Sequence, residues 1–268
     1  MFNHHEYQAA LFDLDGTLAR KGREVSPNVK RALLALARLG FTTGLCTGRN
    51  PATLQKYQGT FPPNSIHIVS GGAQVMKETG EVLWEQLMDP SLVLALEKQM
   101  TSLGASVIVA ADHKLFGNKV AQAWWQESGR MISTCPMLPI TAMNHHNVPI
   151  VIIDKLSEAA INALSSFPGI SFKLMPNSRG ELYADINAEG VNKAVGLARW
   201  CQITGVLPGK TVGFGDSPND KEFLRAVGYA VAMGNATNDI KAIAKEITAD
   251  CDDDGVARWV EKYFQSPI

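Results

Sequence analysis

The chain has 268 residues, with 25 basic and 26 acidic side chains, a formal charge of −1, 46% hydrophobic residues and 19% charged ones. That balance excludes a strongly basic nucleic-acid or membrane-surface binder and an acidic solvating tail, and the apolar share excludes global disorder. At 7% aromatic content there are too few rings for a single-strand stacking platform.

At ~150 residues per domain the length suggests one to two domains. No apolar run approaches the ~18 to 20 residues that cross a bilayer. The first six residues lack the basic and apolar regions of a secretory signal, so a cytoplasmic protein is expected. Cys46, Cys135, Cys201 and Cys251 form no CxxC pair and have no His at zinc-ligand spacing. They are expected to be reduced, buried thiols, and the pairs His4-His5 and His145-His146 to be solvated.

Short β-rich runs alternate with helical patterns, the signal of crossover units on a parallel sheet. Residues 9–13 form the first expected strand. A helix follows over 27–38, with Ser26 as N-cap and Pro27 at the first position. A strand at 41–46, a helix start at Asn50-Pro51 and a strand at 66–69 come next. Residues 74–76 and 82–87, around Thr79-Gly80, suggest a hairpin. From Asp89 the rhythm changes. A helix starts at Asp89-Pro90, two short strands flank Ala111-Asp112, and a helix covers 120–126. A loop over 135–147 leads to a strand at 149–153 and a helix from Ser157. Strands at 171–175 and 181–187 are joined by Pro176-Asn177-Ser178. Strands joined by a turn are antiparallel, so the middle third is expected to be an α+β unit inserted into a parallel one. After Glu189-Gly190 the crossovers resume, with helix 192–202, strand 211–215, helix 221–226, strand 229–233, helix 238–246 and a terminal helix after Gly255.

Ligands of open α/β sheets sit at the carboxyl ends of the strands. The first strand ends Asp13-Leu14-Asp15-Gly16-Thr17, where extended backbone puts Asp13 and Asp15 on one side and Gly16 permits a sharp exit. A bare DxD also fits a solvated turn. Two carboxylates delivered to one spot by an apolar strand, however, repel each other, and a divalent cation relieves that. The second strand ends Thr47-Gly48-Arg49 before a helix start, which is anion-binding chemistry. Lys193 opens a later helix, against the helix dipole. Gly215-Asp216-Ser217-Pro218-Asn219-Asp220 adds two carboxylates and an amide at another strand end. Together the four sites predict one cleft with oxygen ligands for Mg²⁺ and with Thr47 and Lys193 for a phosphoryl group.

These four stretches resemble the motifs of the haloacid-dehalogenase superfamily of phosphohydrolases, in its Cof-like subgroup with a C2B-type cap. Met233-Gly234-Asn235-Ala236 and Asp253-Asp254-Gly255-Val256 are similar to further stretches of that subgroup. Two departures are visible: Ser70-Gly71-Gly72-Ala73 stands where the family often has Asn-Gly-Ala, and Cys46 replaces a usual Ala or Ser. The resemblance implies a Rossmann-like, doubly wound parallel core over residues 1–84 and 186–268, with an α+β cap over 85–185 moving as a lid. It makes Asp13 the nucleophile and Asp15 the acid and base. It places Leu14, Thr47, Gly48, Lys193 and Asn219 on the phosphoryl oxygens. Mg²⁺ would be held by Asp13, the Asp15 carbonyl and Asp216, with Asp220 in or just behind the ligand set.

The implied activity is hydrolysis of small phosphorylated metabolites such as sugar phosphates, by a monomer or weak homodimer with no nucleic-acid or membrane partner. Asp15 speaks against dehalogenation, because family dehalogenases lack that aspartate. A phosphomutase and a catalytically silent metabolite-binding module are the alternatives; a requirement for a bisphosphate activator marks the mutase. Candidate specificity residues in the cap are Trp124, Trp125, His145 and Arg179, against the plainer expectation of buried aromatics and solvated charges.

Overall fold

The computed structural model describes residues 3–127, 135–143, 147–177 and 180–264; Arg179, Ser178, His145 and His146 lie outside the described residues. The first stretch comprises β1 (Ala9–Phe12), α1 (Pro27–Arg38), β2 (Thr42–Leu45), α2 (Pro51–Leu54), β3 (Ile66–Val69), β4 (Gln74–Lys77) and β5 (Val82–Glu85). The middle comprises α3 (Pro90–Ser102), β6 (Ser106–Ala111), β7 (Lys114–Gly117), α4 (Lys119–Glu127), β8 (Met137–Pro139), β9 (Ile150–Asp154), α5 (Glu158–Ser165), β10 (Ile170–Pro176) and β11 (Leu182–Ala188). The last stretch comprises α6 (Lys193–Thr204), β12 (Thr211–Gly215), α7 (Lys221–Ala226), β13 (Tyr229–Ala232), α8 (Asn238–Ile243), β14 (Glu246–Ile247) and α9 (Gly255–Phe264).

The core is a parallel sheet in the order β14-β13-β12-β1-β2, and β3 extends it through a parallel bridge between Cys46 and Ile68. β1 is buried along its whole length, as a strand covered on both faces must be, which is why it is a continuous apolar run. Helix α1 starts where Ser26 Oγ accepts the Val29 N–H, and buries Val29, Ala32, Leu33 and Leu36, the stripe of a 3.6-residue period. β3, β4 and β5 form a small antiparallel sheet beside the core.

The inserted unit is a six-stranded sheet, β10-β11-β9-β6-β7-β8, antiparallel except for the β7–β8 pair. The turn between β6 and β7 has both Asp112 and His113 at positive φ, as a two-residue hairpin requires. Alternation along β6 splits its side chains: Val107 and Val109 pack with α3 and α5, while Ile108 and Ala110 face α4.

Two expectations need correction. The helix expected over 238–246 ends at Ile243, and Glu246 pairs with Val231 as an edge strand instead. There its carboxylate accepts bonds from Tyr229, Trp259, Lys262 and Tyr263, contacts that no local propensity encodes. The expected loop over 135–147 contains β8, recruited by the free edge of β7. All four cysteines are buried thiols. Among the described residues no helix is long and apolar enough to cross a membrane.

Asn187, 6% exposed, ties the inserted unit to the core: its Nδ2 donates to the carbonyls of Ser70 (2.8 Å) and Pro149 (2.7 Å). Asn187→Ala removes both bonds, leaving the Ser70 carbonyl only the Ala73 N–H at 3.2 Å, and is expected to lower unfolding free energy by about 2 kcal/mol, read by urea titration. A loss within error of zero contradicts this bridging role.

Candidate active site

β1 and β12 are adjacent and in register, Phe12 opposite Phe214, so their carboxyl ends deliver Asp13 and Asp216 to the same edge. The Asp13 N–H donates to the Phe214 carbonyl at 3.0 Å, which extends the pairing to Asp13. Gly16 lies between them at φ +92, and a Cβ there would come within 2.3 Å of Asp216 Oδ2, so the turn needs glycine for conformation and for space. Thr17 Oγ1 donates to Asp216 Oδ1 at 3.0 Å.

Helix α6 brings in the cation. Asn192 caps it, accepting the N–H groups of Ala194 and Val195, and Lys193 follows at the first helical position. Lys193 is 2% exposed, and its Nζ donates to Asp13 Oδ1 at 2.7 Å and to Asp220 Oδ1 at 2.6 Å. Asp220 Oδ2 accepts the N–H groups of Asp216 and Ser217, both at 3.0 Å, so each of its oxygens already has a donor. Asp13 Oδ2 has no hydrogen-bond partner among the described residues.

Asp15 is turned away from this cluster toward Arg49, whose Nε and Nη2 grip its two oxygens at 2.6 and 2.9 Å. Thr47 Oγ1 accepts the Arg49 N–H at 3.1 Å, closing the turn after β2. Among the described residues nothing accepts the main-chain N–H of Leu14 or of Gly48. Asn219 stands near Gly48: a Cβ on Gly48 would lie 3.7 Å from Asn219 Nδ2 and 2.8 Å from Asp185 Oδ2.

Burial pushes the Asp13 carboxyl up to about 7, with Lys193 opposing and Asp220 adding to the rise. Burial, then the charges of Asp13 and Asp220, pushes Asp216 up to about 8. Burial disfavours the charge on Lys193, but Asp13 and Asp220 beside it hold its pKa well above the usual lysine value. Carboxylate oxygens of Asp13, Asp216 and Asp220 lie within 4.8 Å of one another. Hard oxygen donors with unrelieved mutual repulsion fit a small divalent cation.

The sequence-derived residues thus converge, save that the Asp15 carboxylate faces Arg49 rather than the acidic cluster. Trp125 is not a cleft residue: it is 7% exposed, packs in the apolar cluster under α4 and donates to the Cys135 carbonyl. Trp124 packs against the same cluster. The sequence analysis missed Thr17, Asp185 and the partner of Arg49. Thr17 and Asp185 carried a signal, since Thr17 follows the DxD turn and Asp185 alternates with apolar neighbours in its strand.

The profile of the haloacid dehalogenase-like hydrolases matches residues 10–260. The chain belongs to that family. Curated relatives align along nearly their whole length. A putative phosphatase of Haemophilus influenzae is 24% identical, covering 96% of this chain and 98% of that protein. The 5-amino-6-(5-phospho-D-ribitylamino)uracil phosphatase YitU of Bacillus subtilis is 27% identical, covering 96% and 97%. Among solved structures, the phosphatase BT1666 of Bacteroides thetaiotaomicron superposes with a TM-score of 0.82 at 22% identity, covering 97% of this chain and 96% of that one. The subclass IIB sugar phosphatase BT4131 gives 0.79 at 23% identity, covering 96% and 99%. The family match bears out the resemblance to the haloacid-dehalogenase hydrolases, and the superpositions bear out the fold.

The raised carboxyls make the stability of the cation-free hydrolase pH-dependent. Between the ordinary 3.8 and about 7 to 8, the folded protein holds protons on Asp13 and Asp216 that the unfolded chain has released. Stability contributed by these groups therefore falls as pH rises through that window. In chelator, Tm is expected to fall between about pH 5 and about pH 8, and Asp216→Asn to flatten the slope. The same slope in the variant contradicts the assignment.

Proposed function

We propose that the chain is a Mg²⁺-dependent phosphatase that hydrolyses phosphomonoesters of small metabolites, sugar phosphates foremost, through an aspartyl phosphate on Asp13. One observation carries this reading: a carboxylate whose Oδ2 is free among the described residues lies beside a buried lysine, with two main-chain N–H groups nearby that none of those residues accepts, at the carboxyl edge of a parallel sheet. We assign the catalytic core to residues 1–84 and 186–268 and the cap to 85–185.

Lys193, Thr47, Asn219 and the N–H groups of Leu14 and Gly48 would receive the phosphoryl oxygens. Lys193 also fixes the Asp13 carboxylate through Oδ1, leaving Oδ2 to attack phosphorus in line with the departing oxygen. Asp15 would give its proton to the leaving alcohol, then take one from the water that cleaves the aspartyl phosphate. For that, its carboxylate must turn from Arg49 toward the scissile bond. Mg²⁺, held by Asp13, Asp216 and the main-chain carbonyl of Asp15 with Asp220 bracing from behind, would neutralise charge on the transferring group.

Activity on p-nitrophenyl phosphate is expected to vanish in EDTA and return with Mg²⁺, and full activity after exhaustive chelation would overturn the metal role. Asp13→Asn is expected to abolish turnover. Asp15→Asn is expected to slow it by ~10² to 10⁴, less for a phenol leaving group than for a sugar alkoxide, because a phenol needs little protonation as it departs. Equal slowing of both esters would remove Asp15 from proton transfer.

A further inference from the structure

Strands β10 and β11 turn a polar face toward the motif carboxylates. Phe172, Leu174, Ala184 and Ile186 pack in the apolar cluster with α3 and α5. Alternation puts Ser171, Lys173, Asp185 and Asn187 on the opposite face, with Lys173 directly across from Asp185. Lys173 and Asp185, together with Lys193, Asn219 and Glu222 of the core, line a cavity of about 360 Å³. That is the size of a small-molecule pocket. Lys193 and Asn219 mark its phosphoryl end, so the remainder faces the part of the ester that leaves.

Charge in this remainder is lopsided. The Lys173 ammonium is taken by Glu222 Oε1 at 2.6 Å. Glu222 Oε2 is buried and has no hydrogen-bond partner among the described residues. Asp185 has none among the described residues either, although its Oδ2 is directed at the backbone of Gly48. Lys21, from the loop after β1, acts on Asp185 only through space, and its ammonium lies over the Tyr183 ring at 4.7 Å from the centroid. A buried acceptor without a donor, as at Glu222 Oε2, is costly, and a ligand that brings donors to it and to the half-buried Asp185 carboxylate relieves that cost. A leaving group that carries a carboxylate would add repulsion instead.

We propose that Asp185, with Glu222 Oε2, is the specificity-determining pair of the leaving-group pocket: it accepts hydrogen bonds from hydroxyl or ammonium groups of the leaving alcohol and rejects leaving groups that carry a carboxylate. This rests on the phosphatase reading and adds the charge and hydrogen-bond character of the substrate. Neutral and cationic sugar phosphates share the donor chemistry, and the test separates them.

The experiment measures kcat/KM of the full chain with Mg²⁺ for glucose 6-phosphate, glucosamine 6-phosphate and 6-phosphogluconate, each relative to p-nitrophenyl phosphate. The two donor-bearing, non-anionic sugars are expected to exceed 6-phosphogluconate by roughly tenfold or more. Asp185→Asn is expected to shrink that gap roughly tenfold, mainly through KM, while Asp185→Glu retains it. A larger effect of Asp185→Asn on glucosamine 6-phosphate than on glucose 6-phosphate would identify an ammonium as the preferred donor. Glu222→Gln is expected to narrow the gap in the same sense and carries the test if Asp185→Asn does not fold. A uniform loss across all sugars, or a wild-type preference for 6-phosphogluconate, overturns the assignment while leaving the phosphatase reading intact. No release of phosphate from any ester, p-nitrophenyl phosphate included, overturns both.

Discussion

A buried ammonium bonded to two carboxylates holds the site together. Lys193 joins Asp13 at the end of β1 to Asp220 after β12, and neither acid is near it in the chain. Each group alone would be costly to bury, and removing any one leaves an uncompensated charge. The ammonium therefore fixes where α6 starts relative to both strands, and with it the edge at which the motifs meet. One positive charge among Asp13, Asp216 and Asp220 still leaves the cluster short of neutral, and burial, reinforced by the neighbouring carboxylates, raises the carboxyl pKa of both Asp13 and Asp216. A divalent cation supplies what the chain lacks.

The loops around this cluster are braced by small, specific contacts. Ser70 stands at φ 53 where the family often has Asn, and its N–H donates to the Arg49 carbonyl at 2.7 Å. Its carbonyl receives Asn187 Nδ2 from the end of β11, where the cap sheet passes into the core. The turn after β2, the turn after β3 and the last cap strand are thus one hydrogen-bonded unit, so a displacement of the cap sheet is felt at Thr47 and Gly48. Gly48 in turn owes its lack of a side chain to the close approach of Asp185 Oδ2, 2.8 Å from where a Cβ would stand. The loop after β2 and the polar face of β10 and β11 are built against each other.

The sequence by itself determined the elements of the core and the identity of its chemical groups. Apolar runs without alternation could only be strands buried on both faces, and Ser26-Pro27 and Asn50-Pro51 mark helix starts through local hydrogen bonding. Asp13, Thr47, Lys193 and Asp216 were legible because each follows a strand or opens a helix, where side chains are free for chemistry. What only the tertiary structure decided is which of those groups touch. Arg49 facing Asp15, Lys193 reaching Asp220 Oδ1, and the edge strand at Glu246 in place of a longer helix all arise from residues far apart in the chain. The polar face of β10 and β11 was written in the alternation of Ser171, Lys173, Asp185 and Asn187. Periodicity states that such a face exists. Whether it meets solvent or roofs a site depends on how two sheets pack, and that is set by contacts no local pattern encodes.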